Sequence, residues 1–168
     1  AGMSGNTMAN IKALNPESKL LHFCNISQVT KTRYVEKKTN HMFLRVDEGD
    51  DQIKPFEWSD DYIHFIKEAD LVIVSDYNKG YLSDYDLEKI AFYSKTSILD
   101  SKRKLTNHIT KHFDFVKLNE GEWKNNTGLD DENIIITLGS KGSMYKGELF
   151  PSPNPQETID VSGAGDTF

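Results

Sequence analysis

The sequence predicts an α/β fold in which helices flank a mainly parallel sheet and a small β-hairpin stands beside it. Between residues 59 and 138, segments with helical spacing of apolar residues alternate with short β-rich runs, the order from which parallel sheets are built. The run Leu71–Val74 is apolar throughout, which is typical of a strand buried on both faces. Residues 29–46 alternate instead with a period of two, and this indicates a hairpin.

The first two elements differ in their periodicity. Over residues 4–14 the apolar side chains lie three apart, which predicts a helix, and Asn15-Pro16 ends it because proline cannot continue a helix. The hairpin follows, with the turn at Lys37–Asn40 between its two arms. Its second arm presents an apolar face formed by Met42, Leu44 and Val46.

A helix-then-strand order begins at Ser59, which can cap a helix that leads into the strand Leu71–Val74. We expect this strand to be central, because central strands of parallel sheets are covered on both faces. The same order then recurs along the chain. The further expected elements are a helix from Ser83 to about Ser94, a strand at Ser97–Leu99, a helix around Thr106–His112, a strand at Phe113–Leu118 and a strand at Asn133–Leu138.

Composition excludes several functional classes. The 20 basic and 26 acidic side chains give a net charge of −6, which disfavours binding to the phosphates of a nucleic acid. The longest apolar runs, Leu71–Val74 and Ile134–Ile136, are far shorter than the roughly 20 residues that cross a bilayer. A single cysteine, Cys24, cannot form an internal disulfide. We therefore expect a cytoplasmic protein with neither nucleic acid nor membrane as a partner.

The most informative segment is Asp160–Phe168, which reads DVSGAGDTF. Glycines on both sides of Ala164 allow a tight turn whose N–H groups point one way, and a following helix would make them an anion site. A carboxylate at Asp166 would repel phosphate there, which favours a role as the base that takes a proton from an attacking hydroxyl. An ordinary glycine-rich turn with a capping aspartate is the alternative.

Residues 160–166 match the Asp-x-(Ser/Thr)-Gly-Ala-Gly-Asp signature of the ribokinase-like, PfkB-type carbohydrate kinases, which the chain resembles. Two more elements stand in that family's order. Asn119-Glu120-Gly121-Glu122 is similar to its Asn-x-x-Glu element, associated with Mg²⁺ and phosphate. Thr137–Gly142 is similar to its Thr-x-Gly-x-x-Gly strand and turn near the nucleotide, and residues 1–15 resemble its sugar-side segment.

Within that family the chain is most similar to the heptose-7-phosphate 1-kinases of bacterial surface-polysaccharide synthesis. The residues that carry this similarity are 29–33 and 43–47 in a lid hairpin, 75–80 in a Ser-Asp-Tyr-x-Lys-Gly turn, and 99–102 in an element like Asp-Pro-Lys. Lys79 and Lys102 would then lie at the carboxyl ends of strands, where open α/β sheets bind ligands. Two lysines there suit a phosphorylated sugar, and solvated surface lysines are the alternative.

The resemblance implies an ATP-dependent kinase that acts on a sugar or sugar phosphate and uses ATP and Mg²⁺. In such a kinase Asp166 would be the base, and the N–H groups of Gly163, Ala164 and Gly165 would form an anion hole. The lid hairpin, about residues 29–47, would close over the sugar, and its apolar face would suit a homodimer. The other implied site residues are Thr137, Gly139 and Gly142 for the nucleotide, Asn119 and Glu122 for the metal, and Gly2, Asn6, Lys79 and Lys102 for the substrate.

The chain departs from the family's pattern at both ends. The family's first strand and its substrate-binding aspartate would precede Gly2, a longer segment would replace residues 16–28, and segments of the adenine pocket would follow Phe168. We therefore interpret residues 1–168 as a single partial kinase domain, and we expect weak binding of ATP and little activity. A non-catalytic protein that binds a sugar or nucleotide, or acts in assembly, is the alternative.

Two further features have structural interpretations. His108 and His112 lie one helical turn apart, but no carboxylate motif is near them in the sequence. They are therefore more typical of a solvated helix face than of a zinc site. Arg103 stands between Lys102 and Lys104 in a short basic run, which is usually solvated charge.

Overall fold

A computed structural model describes residues 3–25, 27, 29–39 and 41–153. None of the helices in these ranges is long and apolar enough to cross a membrane. The helices are α1 (Met3–Leu14), α2 (Asp60–Glu68), α3 (Asp84–Tyr93), α4 (Asn107–Thr110) and α5 (Glu120–Asn125), with 3₁₀ turns at Asp50–Gln52 and Gly139–Lys141. The strands are β1 (Thr30–Val35), β2 (Met42–Glu48), β3 (Val72–Asp76), β4 (Ser97–Ser101), β5 (Phe115–Asn119), β6 (Ile134–Thr137), β7 (Ser143–Tyr145) and β8 (Glu148–Phe150).

A six-stranded sheet with the order β3-β4-β5-β6-β7-β8 forms the centre of the fold. The strands β3 to β6 are parallel, whereas β7 and β8 return antiparallel beside β6. The mainly parallel α/β fold predicted from the sequence is thus confirmed. The prediction of a central position for Leu71–Val74 is wrong, because β3 is an edge strand among the described strands and Leu71 is 47% exposed.

One face of the sheet is packed and the other is partly open. The helices α3, α4 and α5 connect strands that are neighbours in the sheet, and right-handed crossovers that advance in one direction place such helices on one face. Burial agrees: along β4, Leu99 and Ser101 are buried while Ile98 and Asp100 are only partly so. The core between this face and the helices consists of Ile66, Val74, Leu87, Ile90, Ala91, Leu99, Leu105, Ile109, Phe113, Val116, Leu118, Ile134 and Ile136.

The predicted hairpin is confirmed as the antiparallel pair β1–β2, a sheet of its own. Tyr34 lies opposite Leu44 in its register, and both side chains are more than half exposed. On the polar face the Arg45 guanidinium hydrogen bonds to Asp47 and lowers the pKa of that carboxyl to about 2. Met42 and Leu44 of the apolar face are therefore exposed, whereas Val46 is partly buried, and closure of this face over a sugar or against a second copy remains a prediction.

Side-chain caps fix where the helices begin. Ser59 accepts a hydrogen bond from the Tyr62 N–H, as predicted for the start of α2. At α3, Ser83 and Asp86 form a reciprocal capping box, and the second carboxylate oxygen of Asp86 accepts a hydrogen bond of 2.6 Å from Trp58 Nε1. Burial raises the pKa of Asp86, but the hydrogen bonds from Ser83 and Trp58, together with Lys89, lower that pKa overall. The Asp86 carboxylate thus joins α3 to the segment before α2.

We expect Asp86→Asn to lower the free energy of unfolding near neutral pH by about 1.5–3 kcal/mol, the usual contribution of hydrogen bonds to a charged group. The folded pKa of Asp86 lies below the roughly 3.9 of an unfolded aspartate. The difference in the free energy of unfolding between wild type and Asp86→Asn should therefore be fully present above that pH. It should be lost as the pH falls through the lower pKa that Asp86 has in the folded protein. Urea unfolding of both proteins between pH 7 and 3 measures this pH dependence.

Trp58→Phe is the matched control, because it removes one donor to Asp86 and keeps an aromatic ring. In Trp58→Phe, the pH-dependent part of the free energy of unfolding that comes from this carboxylate should be smaller than in wild type but still present. A difference between wild type and Asp86→Asn that stays constant across the pH range would contradict this role of the carboxylate.

Candidate functional site

The carboxyl ends of the four parallel strands form one edge of the sheet. Asp76 at the end of β3 lies opposite Ser101 at the end of β4, and Asn119 at the end of β5 lies opposite Thr137 at the end of β6. Open α/β sheets bind their ligands at this edge. The structure thereby brings together the region of Lys102, the Asn119–Glu122 element and Thr137, which are far apart in the sequence.

Lys102 lies between two acidic side chains at this edge. Its Nζ is 2.5 Å from Glu122 Oε1 and 3.9 Å from Asp100 Oδ1. The residue predicted to bind the substrate thus contacts a residue predicted to hold the metal. Its ammonium group is ion-paired, so the alternative of a simply solvated lysine does not describe it.

A second ion pair lies beside the first and was not predicted from the sequence. Lys117 is only 8% exposed, and its Nζ is 2.7 Å from Asp100 Oδ2 on the neighbouring strand. The register aligns Ser75, Asp100 and Lys117 across β3, β4 and β5. Within the described residues, the buried Asp100 Oδ1 and Ser75 Oγ atoms have no hydrogen-bond partner. The signal was available in the sequence, since Lys117 is a charge between the apolar residues Val116 and Leu118 of one strand.

Asn119 and Glu122 form the capping box of α5, a helix that was not predicted from the sequence. Asn119 Oδ1 accepts a hydrogen bond of 2.9 Å from the Glu122 N–H, and Glu122 Oε2 accepts one of 2.9 Å from the Asn119 N–H. The Asn-x-x-Glu spacing therefore has a structural reason of its own. The cap also fixes the Glu122 carboxylate so that Oε1 faces Lys102.

Thr137, Gly139 and Gly142 lie at the end of β6 and in the turn after it. The turn is closed by a 2.8 Å hydrogen bond from the Leu138 N–H to the Gly142 carbonyl. Gly142 has φ +100°, and a Cβ there would lie 2.0 Å from the Phe150 carbonyl oxygen of β8. The strand and turn predicted for this motif are confirmed, and binding of a nucleotide there remains a prediction.

Arg103 is a structural residue, and the prediction of solvated charge is wrong. Its side chain is 9% exposed, its Nε is 2.6 Å from Asp76 Oδ2, and its Nη2 donates a 2.8 Å hydrogen bond to the Leu82 carbonyl. A third contact reaches Asp84 at the start of α3. Burial lowers the pKa of Arg103, but Asp76 and Asp84 raise it overall. Arg103 thus holds the segment between β3 and α3 against the end of β4.

The other predicted site residues are Lys79, Asn6 and five residues outside the described ranges. Lys79 Nζ is 2.5 Å from Asp50 Oδ2, which connects the loop after β3 to the turn that follows the hairpin. Asn6 is an exposed residue of α1, whose Lys12 donates hydrogen bonds to the carbonyls of Pro16 and Ser18. Outside the described residues lie Gly2, Gly163, Ala164, Gly165 and Asp166.

The chain is similar to a known bacterial protein over part of its length, although no protein-family model matches it. It is 30% identical over 122 residues to the bifunctional protein HldE of a Nitratiruptor species. That similarity covers 61% of this chain and 26% of HldE, so the chain spans about a quarter of that relative's length. The chain is also similar to the crystal structure of Sa239, at 20% identity and a TM-score of 0.45, covering 64% of this chain and 43% of that chain.

Gly142→Ala should destabilise the protein more than Gly147→Ala does. Both glycines have positive φ, which costs a residue with a side chain roughly 1–2 kcal/mol. Only at Gly142 would the new Cβ meet backbone atoms, and such overpacking adds about 1–3 kcal/mol. Urea unfolding of the two variants measures the difference, and equal losses of stability would show that the close approach of β8 does not constrain the turn.

Proposed function

We propose that the protein is an ATP-dependent kinase that phosphorylates a sugar or sugar phosphate. The observation that carries this proposal is the paired charge at the carboxyl edge of the sheet, where Lys102 lies between Asp100 and Glu122. The Asn119–Glu122 and Thr137–Gly142 motifs, which resemble elements of carbohydrate kinases, begin at this same edge. The third motif, residues 160–166, follows them in the sequence. The partial similarity to the bifunctional protein HldE supports a kinase-related enzyme of this kind.

The cations at this edge suit an anionic sugar. Lys102 and Lys117 are positive groups within reach of Asp100, and the buried Asp100 Oδ1 and Ser75 Oγ have no hydrogen-bond partner among the described residues. Buried polar groups normally have hydrogen-bond partners, so an incoming sugar hydroxyl or an ordered water molecule suits them. We propose heptose 7-phosphate as the substrate, with Lys102 contacting its phosphate.

The oxygen atoms at the end of β5 fit Mg²⁺, which prefers carboxylate and carbonyl oxygens as ligands. Asn119 Oδ1 and both carboxylate oxygens of Glu122 accept protein hydrogen bonds, and each oxygen keeps a further acceptor position. Asn119 and Glu122 are the residues that we propose would hold the metal. When bound, the metal neutralises part of the charge on the phosphates of ATP.

The proposed transfer needs one base and one set of donors from this chain. The acceptor hydroxyl oxygen forms a bond to the γ-phosphorus of ATP, the bond from that phosphorus to ADP breaks, and the hydroxyl proton passes to the carboxylate of Asp166. The N–H groups of Gly163, Ala164 and Gly165 would donate to the oxygens on which charge increases. The hairpin would exclude water, which otherwise competes as the acceptor.

A non-catalytic protein that binds a sugar or nucleotide is the second candidate. The observation in its favour is that Lys102 and Glu122 neutralise each other, so a ligand must separate or displace this pair. Binding of ATP or of heptose 7-phosphate without release of ADP would favour this second function.

In a full-length version of the protein, the proposal predicts that Asp166→Asn lowers kcat by roughly 10²–10⁴, the usual effect of a positioned base, while the affinity for ATP changes little. A coupled assay of ADP release with heptose 7-phosphate, ribose, fructose 6-phosphate and a nucleoside measures both substrate choice and kcat. Asp131→Asn is the control, because Asp131 is an exposed aspartate away from the edge. Unchanged turnover in Asp166→Asn would remove this residue from the mechanism.

Lys102→Met should raise KM for the phosphorylated sugar by about 10–100-fold, because one hydrogen bond to a charged group contributes about 1.5–3 kcal/mol. The KM for ATP should change much less. Lys104→Met tests the same loss of charge at an exposed neighbour and should have little effect. Equal changes in both KM values would argue against a contact between Lys102 and the sugar phosphate.

A further inference from the structure

Three side chains with metal-binding atoms meet on the helical side of the molecule. Glu88 comes from α3, His108 from α4, and His112 from the turn that follows α4. One ligand atom from each lies within 4.8 Å of the others. His108 Nε2 is 2.8 Å from Glu88 Oε1, and the two imidazole rings lie edge to face with centroids 5.7 Å apart.

We propose that Glu88, His108 and His112 bind one Zn²⁺ ion, or a similar divalent transition metal. Two imidazole nitrogens and one carboxylate oxygen form a common set of protein ligands for zinc, and they leave a fourth position for water. Zinc holds such atoms at about 2.0–2.2 Å. The three ligand atoms lie within 4.8 Å of one another, so the side chains would rotate to bring them to that distance from one ion.

The backbone under these side chains is well anchored, whereas the side chains themselves can move. Leu87 and Ile109, each adjacent to a ligand residue, belong to the buried core. The turn after α4 is held by a 3.2 Å hydrogen bond from the His112 N–H to the Ile109 carbonyl. His108 and His112 are exposed and Glu88 is partly exposed, so all three can rotate toward an ion without disturbing the core.

This site was not expected from the sequence, because no carboxylate lies near the histidine pair in the chain. The structure supplies the carboxylate from the preceding helix, since α3 and α4 are successive crossovers on one face of the sheet. A bound ion would tie these two helices together. None of the three ligands takes part in the proposed phosphoryl transfer, so this inference does not depend on the proposed function.

Isothermal titration of the chain, prepared without a histidine tag, with ZnCl₂ tests the proposal. We expect saturable binding of one ion per chain. His108→Ala, His112→Ala and Glu88→Gln should each weaken it by roughly tenfold or more, since even the loss of a group that only supports a ligand costs about 10–100-fold in affinity. His64→Ala removes an exposed histidine of α2 and is the control that should bind like wild type.

A second measurement separates this site from adventitious binding to surface histidines. Zinc should raise the Tm of the wild type and of His64→Ala, because a ligand that binds only the folded state stabilises it. It should raise the Tm of His112→Ala clearly less at the same zinc concentration. Absence of saturable binding, or equal binding by His112→Ala and wild type, would overturn the proposal, and circular dichroism of each variant excludes misfolding as the cause.

Discussion

Parallel pairing of β3, β4, β5 and β6 determines how the other parts of the molecule are placed. Strands that run the same way end at the same edge, so the residues that follow them meet there whatever their separation along the chain. The connecting helices must return over one face, and this produces the core on that side. The candidate site and the helical side with its histidine pair are therefore two consequences of one topology.

Charges buried near this edge are tolerated because each has a partner, since an unpaired buried charge is strongly unfavourable. Asp76 accepts hydrogen bonds from the Asn78 N–H, the Ser101 hydroxyl and Arg103 Nε. Asp100 pairs with Lys117 through one oxygen, and its other oxygen has no hydrogen-bond partner in the part of the chain that the structure describes. The first carboxylate accepts three hydrogen bonds from the described chain, whereas the second retains a free acceptor atom for a ligand.

The residues that resemble a kinase site also stabilise the fold. Asn119 and Glu122 begin α5 through their capping box, and the same hydrogen bonds hold the Glu122 carboxylate beside Lys102. Gly142 is required by a positive φ and by the backbone of β8. A preorganised site needs such support, because side chains fixed by the fold lose less freedom when a ligand binds. The structural role of these positions and their proposed binding role therefore rest on the same residues.

Local patterns in the chain were enough to predict the helix ending before Pro16, the hairpin, the cap at Ser59, the helix after Ser83, and the succession of helices and parallel strands along the chain. Periodicity and capping act within a few residues, so they can be read along the chain. Three-dimensional packing was needed to place β3 at an edge of the described sheet, to bury Arg103 against Asp76, and to bring Lys117 to Asp100. It also brought Glu88 to the histidine pair. These contacts join side chains from different strands and helices, and their partners are set by the packing of whole elements, which no local pattern encodes.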